Sequence, residues 1–145
     1  MKLLFLHQNF PGQFRHIVDA LAQDPANEVV AIGQRKPADL GLTAPRLQYI
    51  RYQPKREPNA STHRYLVGLE GAVLAGQAVV EVLARLKQRG FMPQVIVAHP
   101  GWGESLYVRE IFPTAKEVNY CEFYYYTEDT DSSSEPTSSM NLDSR

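Results

Sequence analysis

Apolar residues open the chain as one short block, Leu3-Leu4-Phe5-Leu6, bounded at once by His7-Gln8-Asn9 and Pro11-Gly12, which predicts a buried strand ending in a turn. Beyond the turn, Phe14, Ile17, Val18 and Leu21 fall at i, i+3, i+4 and i+7, the spacing of one helix face. Asp24-Pro25-Ala26-Asn27 breaks that helix, and Glu28-Val29-Val30-Ala31-Ile32-Gly33 supplies a second strand whose unbroken apolar run implies burial on both faces. Residues 34 to 46 carry Pro37, Gly41 and Pro45 and read as a loop. Residues 47 to 52, LQYIRY, then alternate like a half-exposed edge strand. Residues 61 to 89 read as one long helix with Leu66, Leu69, Val73, Val80 and Leu83 along a stripe, stopped by Gly90 and Pro93. Within it Gly68, Ala72 and Gly76 recur every fourth residue and suit close packing against another backbone. Val95 to Ala98 predicts a fourth strand, Glu104 to Phe112 a short helix, and Glu117 to Phe123 a fifth strand.

Alternating strands and helices predict an α/β fold, a Rossmann-like parallel sheet with helices on both faces, and right-handed crossovers favour the strand order 3-2-1-4-5. In that order the first and fourth strands are neighbours, and the winding reverses between them, opening a crevice at their carboxyl ends. Both strands exit into a histidine and a Pro-Gly turn: His7-Gln8-Asn9-Phe10-Pro11-Gly12 after the first, His99-Pro100-Gly101-Trp102-Gly103-Glu104 after the fourth. The expectation is that His7 and His99 face each other over one ligand site, with helix N-termini supplying unpaired N–H groups. Trp102 offers an aromatic face to a sugar ring and Glu104 a carboxylate to its hydroxyls. Asn9 and Gln13 on the first turn, and Glu122 near the end of the fifth strand, complete the polar candidates.

Composition narrows the function. At 145 residues and 43% hydrophobic content the chain fits one domain with a core of ordinary size. A net charge of -1 argues against a nucleic-acid binder. The single cysteine, Cys121, and an N-terminus without a signal-peptide pattern point to the cytoplasm. Glu70, Gln77, Glu81 and Arg85 interrupt the best candidate for a membrane span. The four histidines and one cysteine show no metal-ligand spacing, so no metal is expected. The full G-x-G-x-x-G fingerprint is missing, as is an acidic residue at the end of the second strand, which argues against a nicotinamide cofactor; no P-loop and no G-x-S-x-G elbow occur. The basic stretch Arg46, Arg51, Lys55, Arg56, His63 and Arg64 reads as a solvated loop, with an anionic acceptor or a peripheral membrane surface as the functional alternative. After Tyr126 the sequence TEDTDSSSEPTSSMNLDSR is acidic and Ser-rich and is expected to be a flexible tail.

The stretches MKLLFLHQNFPGQF, HPGWGESL and NYCEFYY resemble the N-terminal domain of family 4 glycosyltransferases, over residues 1 to about 126. That resemblance implies a GT-B architecture of two Rossmann-like domains facing across a cleft, sugar transfer with retention of configuration, no metal and no cofactor, and a nucleotide sugar as substrate. It places this domain on the acceptor side, with the donor domain, which would grip the nucleotide, expected to be absent here. It also implies that Gly12 lies near the donor phosphates and His99 beside the transferred sugar. Three readings stay open: the acceptor half of a transferase, a stand-alone sugar or small-molecule binding module, and an interaction subunit that completes its site with a separate donor chain. With the partner domain gone, exposure around Trp102, Glu104 and Phe123 to Tyr126 is expected to favour a homodimer or partner capture.

Overall fold

The computed structural model describes residues 1–42 and 44–122; the aromatic run at 123 to 126 and the acidic tail lie outside the described residues. The strands are β1 (Lys2–Leu6), β2 (Glu28–Gly33), β3 (Leu47–Arg51), β4 (Val95–Ala98) and β5 (Lys116–Asn119), and they form one parallel sheet in the order β3-β2-β1-β4-β5. The register sets Leu6 beside both Ile32 and Ala98, so the ends of the three central strands are level. β3 is an edge strand, as its alternation predicts. β5 spans Lys116–Asn119, so it ends earlier than its sequence suggests, and Tyr120 to Glu122 run on as irregular chain.

Alternation along β1 sorts its side chains onto two layers. Leu3 and Phe5 join Val29, Ala31, Phe14, Val18 and Ala22 on one face, while Leu4 and Leu6 join Val30, Ile32, Ile96, Val79, Leu83 and Leu86 on the other. Each fully buried Val, Leu, Ile or Phe among them contributes about 1.5–3 kcal/mol. The first layer is covered by α1 (Arg15–Gln23), the second by α2 (Val67–Gln88) and the four-residue α3 (Val108–Ile111).

Three helical expectations need correction. In α1 the buried line is Phe14, Val18 and Ala22, and Ile17 stands 49% exposed. One residue, or about 100°, from Val18, it falls past the edge of the contact with the sheet. α2 begins at Val67 rather than residue 61, because side chains hold the preceding loop in turns. The Asn59 carboxamide oxygen accepts from the Ser61 amide at 2.9 Å, and the Glu70 carboxylate accepts from Thr62 Oγ1, from Arg56 Nη1 at 2.6 Å and from the Asn59 amide at 3.2 Å. The buried stripe of α2 is accordingly Ala75, Gly76, Val79, Val82, Leu83 and Leu86, and the expected members Leu66 and Leu69 are exposed. By length and a mean hydropathy of 1.6 over its best window this helix meets the measure of a membrane span despite its polar residues, yet it lays its second half on the sheet. Finally, the helix expected from Glu104 shrinks to α3: Pro100–Trp102 is a 3₁₀ turn, and Gly103 and Glu104 belong to turns between the two.

Candidate functional site

The two strand exits meet. The ring of His7 lies 5.2 Å from that of His99, and Trp102 stacks on His99 at 4.3 Å and 20° while standing 5.3 Å from His7. Both histidines are buried, at the carboxyl ends of adjacent strands β1 and β4. The expected apposition is therefore present.

Each turn fixes its histidine in the same way. His7 Nδ1 accepts from the Asn9 amide at 2.9 Å, and His99 Nδ1 accepts from the Gly101 amide at 3.1 Å. An N–H aimed at Nδ1 demands a lone pair there, so the neutral ring of each carries its proton on Nε2. The Nε2 of His7 donates to Gln13 Oε1 at 2.7 Å. The Nε2 of His99 sits 3.2 Å from Glu122 Oε2, at ion-pair distance but without hydrogen-bond alignment among the described residues. Burial pushes the His7 imidazole below its ordinary pKa; the Gln13 hydrogen bond opposes this, the His99 charge adds to it and the Glu122 charge opposes it. His7 is neutral at pH 7 in consequence.

Small residues make this packing possible. A Cβ on Gly12, whose φ is +45°, would stand 2.6 Å from His7 Nε2. One on Gly101 would stand 2.7 Å from His99 Cε1. Gly12 thus owes its place to the imidazole beneath it, whatever else approaches it from solvent. Of the small-residue stripe of α2, Ala72 and Gly76 pack against Gly103 and Tyr107 and join the helix to the turn that carries Trp102, whereas Gly68, expected to pack closely as well, has open space beside its Cα.

Glu104 departs from its expected role at a helix N-terminus. It is 1% exposed; Tyr52 donates its hydroxyl proton to Oε1, while Oε2 has no partner among the described residues. Gln34 Nε2 donates to the same Tyr52 oxygen at 3.0 Å, and Gln8 Nε2 reaches Gln34 Oε1 at 3.5 Å. A polar chain thus joins the exits of β1, β2, β3 and β4 beneath the surface. Burial raises the Glu104 pKa, against the Tyr52 hydrogen bond and the His99 charge. A carboxyl raised in the folded state stabilises the fold below its unfolded pKa, and that contribution is lost as pH rises through the folded value. Glu104→Gln, which keeps an acceptor for Tyr52 and needs no charge, is therefore expected to hold or raise the melting temperature at pH 7 to 8 and to flatten its fall above pH 4.5. Thermal melting against pH checks this; a large loss of stability at neutral pH would show that the ionised carboxylate is required.

Beside the histidine pair opens a cleft of about 530 Å3. It is lined by Gln8, Gln34 and Tyr52, by Arg51 and residues 53, 54 and 56–58 of the following loop, by Gly68, Gly71, Ala72, Leu74 and Ala75 of α2, and by Gly101 and Trp102. Of the residues expected from sequence, the structure gathers His7, Asn9, Gly12, Gln13, His99, Trp102 and Glu122 around the imidazoles; Trp102 alone of these also lines the cleft. Gln8, Gln34 and Gln53 were not among them, although each sits just past the end of β1, β2 or β3, and that position was the signal; Arg51, expected only as one of a basic stretch, also lines the cleft. Among the described residues no group of three metal-ligating side chains comes together.

Residues 25–145 match the family model described as the glycosyl transferase family 4 group, and the chain belongs to that family. The match begins after the first histidine turn, which is therefore assigned by geometry alone. No curated protein matches the chain.

Proposed function

We propose, from membership of a glycosyl transferase family, that the chain is the acceptor-side domain of an enzyme moving a sugar from a nucleotide-sugar donor to an acceptor held in the cleft beside Trp102. The observation that carries this reading is the meeting of the two histidine turns, ring to ring at 5.2 Å, where the order of a parallel sheet reverses. A donor-binding half, on the same polypeptide or another, faces this surface and holds the nucleotide.

The local chemistry suits the task. Trp102 presents an aromatic face to a sugar ring, while the Gln8, Gln34 and Gln53 amides offer donors and acceptors together, as hydroxyl groups require. His99 is oriented by the Gly101 amide, which leaves its Nε2–H without a hydrogen-bond partner among the described residues, 3.2 Å from Glu122 Oε2. In the proposed transfer a sugar hydroxyl accepts that proton, and the histidine places the reacting sugar. Gly12, whose exposed backbone closes the same end of the sheet, faces the donor phosphates.

Because the chain holds a single tryptophan, its fluorescence reports on this site alone. Titration with oligosaccharide acceptors is expected to change Trp102 emission saturably, and Trp102→Ala is expected to weaken acceptor binding by tenfold or more, from loss of an aromatic contact worth about 1–2 kcal/mol. Unchanged emission with an acceptor that the intact transferase glycosylates would overturn the placement.

A further inference from the structure

We propose that the acceptor is an acidic saccharide, and that Arg51 at the carboxyl end of β3 receives its carboxylate or phosphate. This deepens the reading of the cleft as an acceptor site and rests on it. Arg51 is the last residue of the edge strand, paired in register with Gly33, so its side chain stands at the rim where ligands of such sheets sit. Its Nε donates to the carbonyl of Gln34, another lining residue, at 2.7 Å, which holds the guanidinium in place. The two terminal nitrogens make no hydrogen bond or ion pair among the described residues. A guanidinium fixed by one nitrogen, with the other two available, matches the fork geometry that binds a carboxylate or phosphate.

The charges around it support the assignment. Arg56, the other cation of the wall, is held by Glu70 at 2.6 Å, and Lys55 by Glu81, so both are engaged. Arg35, just beyond β2, is a second cation that with Arg51 acts on the Tyr49 phenol, whose hydroxyl donates to the Arg35 carbonyl at 2.8 Å. Against these stands the exposed Glu57 on the rim. Glu104 is sealed beneath Tyr52 and presents no oxygen to the cleft. Trp102, for a sugar ring, and Arg51, for an anionic substituent, line the same cavity.

The test is a magnetic resonance titration of the labelled chain with three probes: a disaccharide ending in glucuronate, glucose 6-phosphate, and neutral maltose. At least one acidic probe is expected to bind roughly tenfold or more tightly than maltose, the stronger of the two identifying carboxylate or phosphate as the group read. Arg51→Gln should erase that difference without shifting the melting temperature, and Arg51→Lys should retain part of it. Equal binding of acidic and neutral probes, or a preference that survives Arg51→Gln, would overturn the acidic acceptor and leave the cleft reading intact. Failure of every probe to shift the Trp102 indole and the Gln8 and Gln34 amides would overturn both.

Discussion

Gly103→Ala is expected to destabilise the fold by about 2–5 kcal/mol, a large part of the roughly 5–15 kcal/mol available to a domain. Gly103 has φ +99°, a region that costs a residue with a Cβ about 1–2 kcal/mol. The added carbon would also come within 2.6 Å of Ala72 Cα and closer still to its carbonyl oxygen. Backbone cannot swing aside as a side chain can, so overpacking adds about 1–3 kcal/mol. The strain falls on the joint between α2 and the turn carrying Trp102, so the cleft should loosen together with the fold. Gly90→Ala is the control: its φ of +82° carries the conformational cost alone, about 1 kcal/mol, because no atom lies within 4 Å. Denaturant unfolding of the two variants checks this. Equal losses would show that α2 and the turn are not in contact.

In a complete transferase containing this domain, His99→Ala is expected to lower turnover by tenfold to a thousandfold, the range for losing one positioned hydrogen bond in the transition state. Sequence alone suggests that folding would be little affected. The structure changes that expectation, because His99 is 7% exposed, stacked on Trp102 and bonded to the Gly101 amide, so about 1–2 kcal/mol of stability should be lost as well. The two effects are separated by His99→Gln, whose amide can restore a donor near the position of Nε2. Rates per folded molecule should recover in part with Gln and not with Ala. A normal rate in His99→Ala with only the stability lost would assign His99 to packing.

The sheet was legible because its signals are local. Blocks such as Leu3 to Leu6 and Val95 to Ala98 are short, apolar and bounded by turn residues, and the strand order followed from chirality and connection rules. The apposition of His7 and His99 followed from that order, since both stand one residue beyond paired strands. Helix faces were harder to read. In α2 apolar residues surround the axis, so Leu66 and Leu69 fitted a stripe as well as Ala75 and Val79, and only the sheet selects between them. The start of α2 depends on Glu70 gathering Thr62, Arg56 and Asn59 from a loop, a long-range arrangement with no periodic signal. Glu104 looked like a surface carboxylate because nothing near it in sequence marks Tyr52, 52 positions away, as its partner. The crevice at the ends of the first and fourth strands was expected, but its extension along the ends of β2 and β3 and along α2 was not, because those walls are distant along the chain.

The central claim is that ligand binds over the carboxyl ends of β1, β3 and β4. Backbone amide shifts of the labelled chain, recorded while an acceptor of the intact transferase is titrated in, test it most directly. Shifts are expected to gather at Gln8, Asn9, Gln34, Arg51, Gly101 and the Trp102 indole, and to follow one saturation curve. Shifts confined instead to the opposite end of the sheet, around Asn27, Gly90 and Gln94, would contradict it.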